Sequence, residues 1–440
     1  MTVRKERLIT DGARVWRNLR DLVKDRSGAS ALILGLSMPA LVGLAGLGVD
    51  ASMWMSTHRE HRNIADSAAL AAAFERAYNQ TNVLTVARTE VIRHGFNPDE
   101  PTNTFAVYSP PQSGAYQGDA FAIEVVMGAP VNLGISSMFV SGAVVTNARA
   151  VATTVVEPEF CILGLDPSRD DTVSFSGSAS ATLGCGLASN STSDESISIS
   201  GSSTVTTTSV TTVGDVHDHG GLTTTSPPRV GSNPIIDPYA DLTVPTFSGC
   251  DYNNKKVMSD QTLNEGVYCG GLRVQAGGIA RLNPGTYIMD RGDFDIKGGG
   301  TVIGTDVTIV LTSSNGSNYA TININANATV QLSAPSANDT TGSVTADYAG
   351  ILFFQDPNAT ATQGGNLITN KVSGNSASVY YGVIYIPNQA IALTGSATFQ
   401  DGCVQLIAAT VSMTGNFNIT DTCTDPNLRD IGRLRVALVE

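Results

Sequence analysis

Residues 28–49 form an uncharged, mostly apolar run that ends at Asp50. A helix that crosses a bilayer needs about 20 apolar residues, and this run supplies them. The flanks set its orientation. Ahead of it lie Arg4, Lys5, Arg7, Arg14, Arg17, Arg20, Lys24 and Arg26, while most acidic residues follow it. The positive-inside rule keeps the short basic segment 1–27 in the cytoplasm and sends the acidic bulk across. A cleaved secretory signal is the alternative, but its apolar core is shorter, about 7–15 residues, and ends at a small-residue cleavage site. Val49-Asp50-Ala51-Ser52-Met53-Trp54 is a poor one. The expectation is a retained anchor, cytoplasmic at its N-terminus, with Gly28, Pro39, Val49, Asp50 and Trp54 marking the span and its boundary.

The formal net charge of −13 argues against nucleic acid as a partner, since the exported part would repel phosphate. Only 15% of residues are charged, and Val, Ile and Phe recur between small polar residues. That texture is expected of an exported β-rich protein. The cysteines are Cys161, Cys185, Cys250, Cys269, Cys403 and Cys423, all beyond the apolar run. An even count in an exported segment suggests disulfides. The short sequential loops 161–185, 250–269 and 403–423 are the simplest pairing, with free buried thiols as the alternative. No spacing of Cys or His suggests zinc.

After Asp50 no Gly or Pro interrupts the chain until beyond Phe74, and alanine is dense. The membrane helix is expected to continue into water, with Trp54 at the interface and the alanine-rich half packed closely on a neighbour. A second amphipathic helix is expected over 81–98, ended by Gly95 and Pro98. Strands follow at 104–108, 120–127 and 144–156, with a short helix over 131–140. Residues 50–156 thus read as a small α+β module. From Cys161 onward short runs alternate apolar and small polar residues, separated by Gly, Asn, Asp or Pro. The fold class is mainly β, and 157–430 reads as one exported β-rich domain. An irregular parallel β-helix is favoured, because Gly277-Gly278 and Gly298-Gly299-Gly300 recur at roughly 20 residues, the lower end of solenoid periods. A sandwich is the alternative, with Asn315-Gly316 and Asp401-Gly402 as hairpin turns. The proline-rich stretch 214–248 reads as an extended loop. Residues 431–440 read as a tail ending in a docking strand or helix.

Candidate chemistry is sparse. His217, Asp218 and His219, near Asp215, are metal-ligand types. On an extended strand the two histidines share a face, but no third ligand stands at a persuasive spacing. Asp290, Asp293 and Asp295 flank a strand and would suit sugar chemistry on a β-helix face; turn residues bonding their own backbone are the competing reading. No nucleophile elbow, phosphate loop or zinc-protease motif is present. No catalytic residue, cofactor or metal is expected.

The segment from Arg26 and Gly28 through Pro39 and Asp50 to Asn63-Ile64-Ala65-Asp66-Ser67-Ala68-Ala69-Leu70-Ala71-Ala72-Ala73 resembles the N-terminal region of the TadE/TadG-like proteins of bacterial Flp (tight adherence) pilus assembly. Asn63, Ala65, Asp66, Ala68, Ala69, Leu70 and Ala72 carry the helix signature. The resemblance implies an inner-membrane protein facing the periplasm that works with the Flp/Tad pilus machinery. Residues 29–33 lack the glutamate that pilin-like members keep after their cleavage glycine, and the chain lacks the Asp-x-Ser-x-Ser metal site of many TadG-like proteins. The expected function is therefore a non-enzymatic, membrane-anchored component of pilus assembly or secretion, with its β-rich domain used for protein interaction. A surface adhesin and a membrane-tethered polysaccharide-active enzyme are the alternatives.

Overall fold

The computed structural model describes residues 27–78, 82–131, 134–138, 144–336, 348–395, 398–399, 404–419 and 428–440. The protein is mainly β and divides into two compact units. The first comprises residues up to Val155 together with Arg435–Glu440, and the second Val156–Leu434.

In the first unit the apolar run and the alanine-rich segment form one continuous helix, α1 (Ser27–Tyr78), with Pro39 inside it. A shorter helix, α2 (Val83–Arg93), follows. Three antiparallel strands make the sheet: β1 (Thr104–Tyr108), β2 (Ala122–Val131) and the start of β3 (Val144–Gly164). Alternation along β2 and β3 puts Ile123, Val125 and Met127 in register with Ala152, Ala150 and Ala148. Their shared face meets Ala65, Ala68, Ala69, Ala72 and Ala73 of α1 and Ala87 and Val91 of α2. These alanines recur at three- and four-residue intervals, so they form one stripe on a 3.6-residue helix. The expected short helix over 131–140 is a single 3-10 turn, Ile135–Met138, within the described residues.

The second unit is wound from short parallel strands. Each turn of chain lays down three of them, and each strand pairs with the corresponding strand of the next turn. Asp260 pairs with Ile279, Ile279 with Thr301 and Thr301 with Thr329 in one ladder. Gly266, Tyr287 and Ile309 follow one another in a second, and Leu272, Phe294 and Ile322 in a third. Glycines stand at corners between the strands. Gly277 and Gly299 both have positive φ, and the Gly277 N–H donates to the Gly299 carbonyl 2.9 Å away. Inward side chains of all three ladders fill one core, including Tyr268, Tyr287, Phe294, Phe353, Phe175 and Met413.

Several details depart from expectation. Asn315-Gly316 is not a hairpin turn: it lies in the connection between the parallel strands Val307–Thr312 and Ile322–Ile324. Among the strands described between 160 and 419 the pairings are parallel, not the antiparallel pairs a sandwich requires, apart from the small excursion Thr362–Gln363 with Asn366–Leu367. Asp401-Gly402 lies outside the described residues. The stretch 214–248 is a loop only in its second part, because Val216–Asp218 and Leu222–Thr224 belong to a turn of the winding.

The turns do not stack in chain order. The winding of 252–419 ends against the strands at 160–183: Leu406 pairs with Ile162, Val411 with Val173, Met413 with Phe175 and Asn416 with Ser180, all parallel. From there the stack continues through 186–189 and 210–212. The segment 225–250 connects the two extreme ends of this stack. It runs back along the outside of one ladder and buries Ile235, Tyr239 and Leu242 against Phe160, Leu163, Val267, Ile288, Phe354 and Tyr385. At a strand spacing of about 4.8 Å, the run from the turn holding Asn190 to the turn holding Cys269 covers about 34 Å. That ladder is therefore covered on both faces, and Gly285–Asp290 and Val307–Thr312 are buried at every position.

Candidate functional site

The features with a functional signature lie along α1. Its first part shows apolar side chains outward: Leu32, Ile33, Leu36, Met38, Leu41 and Leu44 are all more than half exposed. Pro39 and Val49 are exposed as well, and Gly28 lies in the first turn of the helix. In water such a surface would be unsatisfied; in a bilayer it is matched. Among the described residues this is the one helix long and apolar enough to cross a membrane.

Below this part the helix changes character within two turns. Asp50 is buried, and its carboxylate accepts hydrogen bonds from the Gly134 N–H at 3.1 Å and from the N–H and hydroxyl of Ser136. Trp54 is 45% exposed one turn further on. His61 is buried, with its Nδ1 2.7 Å from the Thr146 hydroxyl and its ring edge-on to Phe96. Then comes the alanine stripe, where Ala65, Ala68, Ala69 and Ala72 have no exposed surface. Leu70 packs at the margin of the same cluster. Asn63 is exposed and Asp66 half-buried, so these two motif residues sit outside the helix–sheet contact.

Residues 28–77 match the family model described as putative Flp pilus-assembly TadE/G-like. No curated protein and no solved structure matches the chain. The TadE/G-like segment coincides with α1 almost end to end. Its signature alanines are the contact face against the sheet, and the aspartate after its apolar span is the group that holds the 134–138 segment.

On the far side of the sheet Glu124 is 1% exposed. It accepts from the Gln112 N–H and the Ser113 hydroxyl, both at 2.7 Å, and pairs with Arg149, which also bridges to Glu440. Burial by itself would push this carboxyl up. The hydrogen bonds from Ser113, Gln112 and Arg149 outweigh it and hold Glu124 below the ordinary glutamate range. This network has no counterpart in the sequence reading, because its members are spread from Gln112 to Glu440.

In the second unit the other candidates are held by structural partners. Asp290 accepts from the N–H and hydroxyl of Ser314 and pairs with Arg291. Asp293 accepts from the N–H and hydroxyl of Thr321. Asp295 pairs with Arg273 and Lys297. Each fastens one turn of the winding to the next. His217 and His219 do come together, ring centroids 4.7 Å apart, but Asp218 turns away to accept the N–H groups of Gly220, Gly221 and Leu222. Among the described residues no group of three or more His, Cys, Asp or Glu is placed to hold a metal ion. Cys161 is bonded to Cys185 and Cys250 to Cys269, with Cα atoms 5.7 Å apart in each pair; Cys403 and Cys423 lie outside the described residues.

Proposed function

We propose that this protein is a membrane-anchored, non-enzymatic component of Flp/Tad-type pilus assembly or secretion. The observation that carries the reading is the coincidence of the TadE/G-like match with a single helix divided into an exposed apolar part and a buried alanine stripe. The apolar part crosses the inner membrane, and the stripe fixes the module that follows it. The basic segment 1–27 keeps the N-terminus cytoplasmic, so the rest of the chain lies in the periplasm. The wound unit, read as an irregular parallel β-helix, is a rigid interaction surface for other proteins of the machinery. Its acidic carboxylates serve cohesion between turns rather than catalysis, and neither a cofactor nor nucleic acid enters the reading.

The test is deletion of 28–77 in the native host, with membrane fractionation and counting of surface pili. Loss of membrane retention together with loss of pili is expected. Normal piliation by the deleted protein would overturn the reading.

A further inference from the structure

Between Glu124 and Arg149 the sequence contains no charged residue. Beyond β2, the described part of this stretch at 134–138 lies on α1 at the end of the apolar run. Two contacts fix its level. The Asp50 carboxylate takes the N–H groups of Gly134 and Ser136 and the Ser136 hydroxyl. Ile135 lies over Gly46, where an added Cβ would come within 2.9 Å of the Ile135 Cβ. Gly46 is one helical turn, about 6 Å, to the apolar side of Asp50. The segment therefore reaches beyond the aspartate, alongside the last turn of the apolar run. It presents apolar groups there without covering them: Met138 is 80% exposed and Ile135 38%.

We propose that the turn Ile135–Met138 is a second membrane-embedded element, seated in the interfacial layer of the bilayer beside α1 and latched there by Asp50. The proposal rests on reading 28–49 as a membrane span. The occupant of the exposed surface is lipid, because that surface continues the lipid-facing surface of α1 and carries no charge. The same arrangement explains Asp50. A carboxylate at the edge of the hydrocarbon is costly unless hydrogen-bonded, and the turn supplies donors from backbone and hydroxyl without bringing in a second charge.

The experiment uses the full oxidised chain in phosphatidylcholine vesicles, with a bimane label on Met138→Cys, Met38→Cys or Asn63→Cys and the unsubstituted protein as background. Two kinds of quencher are compared, iodide in water and lipids carrying a nitroxide either near the headgroup or along the acyl chain. The label at 38 is expected to respond to lipid and the label at 63 to iodide. The label at 138 is expected to follow the lipid pattern and to lose it when Gly46→Leu pushes Ile135 away. Iodide quenching at 138 with lipid quenching at 38 would overturn the inference and leave the span standing. A label at 138 shielded from both quenchers would overturn it in favour of a protein partner. Absence of lipid quenching at 38 as well would overturn the membrane reading itself.

Discussion

Glu124 is buried, yet its pKa is lowered, so hydrogen bonding has overcome desolvation at this residue. A carboxyl whose folded pKa lies below its unfolded one stabilises the fold above the unfolded value, here 4.5, and loses that contribution as pH falls through the folded value. The first unit is therefore expected to lose stability below about pH 4.5, and Glu124→Gln should flatten that slope. Thermal melts across the acid range check it; an unchanged slope in the variant would assign the acid sensitivity to other groups. A second residue-scale prediction concerns the alanine stripe. Ala68 has no exposed surface and faces the sheet. Ala68→Leu should overpack the contact and cost about 1–3 kcal/mol, whereas Asn63→Leu on the exposed side should cost little; denaturant melts in detergent separate the two. The alanine stripe was legible in the sequence because it is local and periodic. The partners of Asp50 and Glu124 were not, since they lie far along the chain and are chosen only by the fold.

At the scale of elements, the strap 225–250 contains no helix or strand of its own, yet it is held at many points. Asn190 mimics a strand neighbour for it, donating to the Ile235 carbonyl and accepting from the Ile235 N–H at 2.8 and 2.7 Å. Tyr239 is 1% exposed, and its hydroxyl oxygen accepts from the Arg429 N–H at 3.0 Å; burial raises its pKa to about 12. Asp237 accepts from the Tyr385 hydroxyl at 2.8 Å. At the far end the Cys250–Cys269 bond ties the strap to the winding. A loop of this size closed by a disulfide is worth about 3 kcal/mol. Cys250→Ser with Cys269→Ser should lower stability by about that amount and make 240–250 the first site cut in limited proteolysis. Unchanged cutting there would mean that Tyr239 and its neighbours hold the strap alone. The prolines announced an extended segment, as the sequence reading expected. They did not announce where it begins, because Val216–Asp218 and Leu222–Thr224 are too short to show a period by themselves. Their membership in the winding comes from pairing with Ile197–Ile199 and Thr204–Thr207.

At the scale of the whole molecule, the main property is that chain order and spatial order differ. A mainly β chain of short strands could be read from the alternation of apolar and small polar residues, but the junction between 404–419 and 160–183 could not. A sequence carries no local mark of a contact between segments more than 200 residues apart. That junction is nonetheless built like any other step of the winding. The Val411 N–H donates to the Thr172 carbonyl at 2.8 Å and the Ser176 N–H to the Met413 carbonyl at 3.1 Å, while Met413 pairs with Phe175. Closing so long a loop is slow relative to closing adjacent turns, so the two halves of the winding are expected to meet late in folding and then to protect each other. Phe175 has no exposed surface, and Phe175→Ala should cost about 3 kcal/mol or more locally. If the junction is one cooperative unit, hydrogen exchange at Val411 should speed up by about 100-fold, together with that at Ser176, although Val411 is remote in sequence. Exchange at Phe294–Ile296, several turns away, should hardly change. Acceleration confined to the neighbourhood of residue 175 would show instead that the two segments fold independently and merely abut.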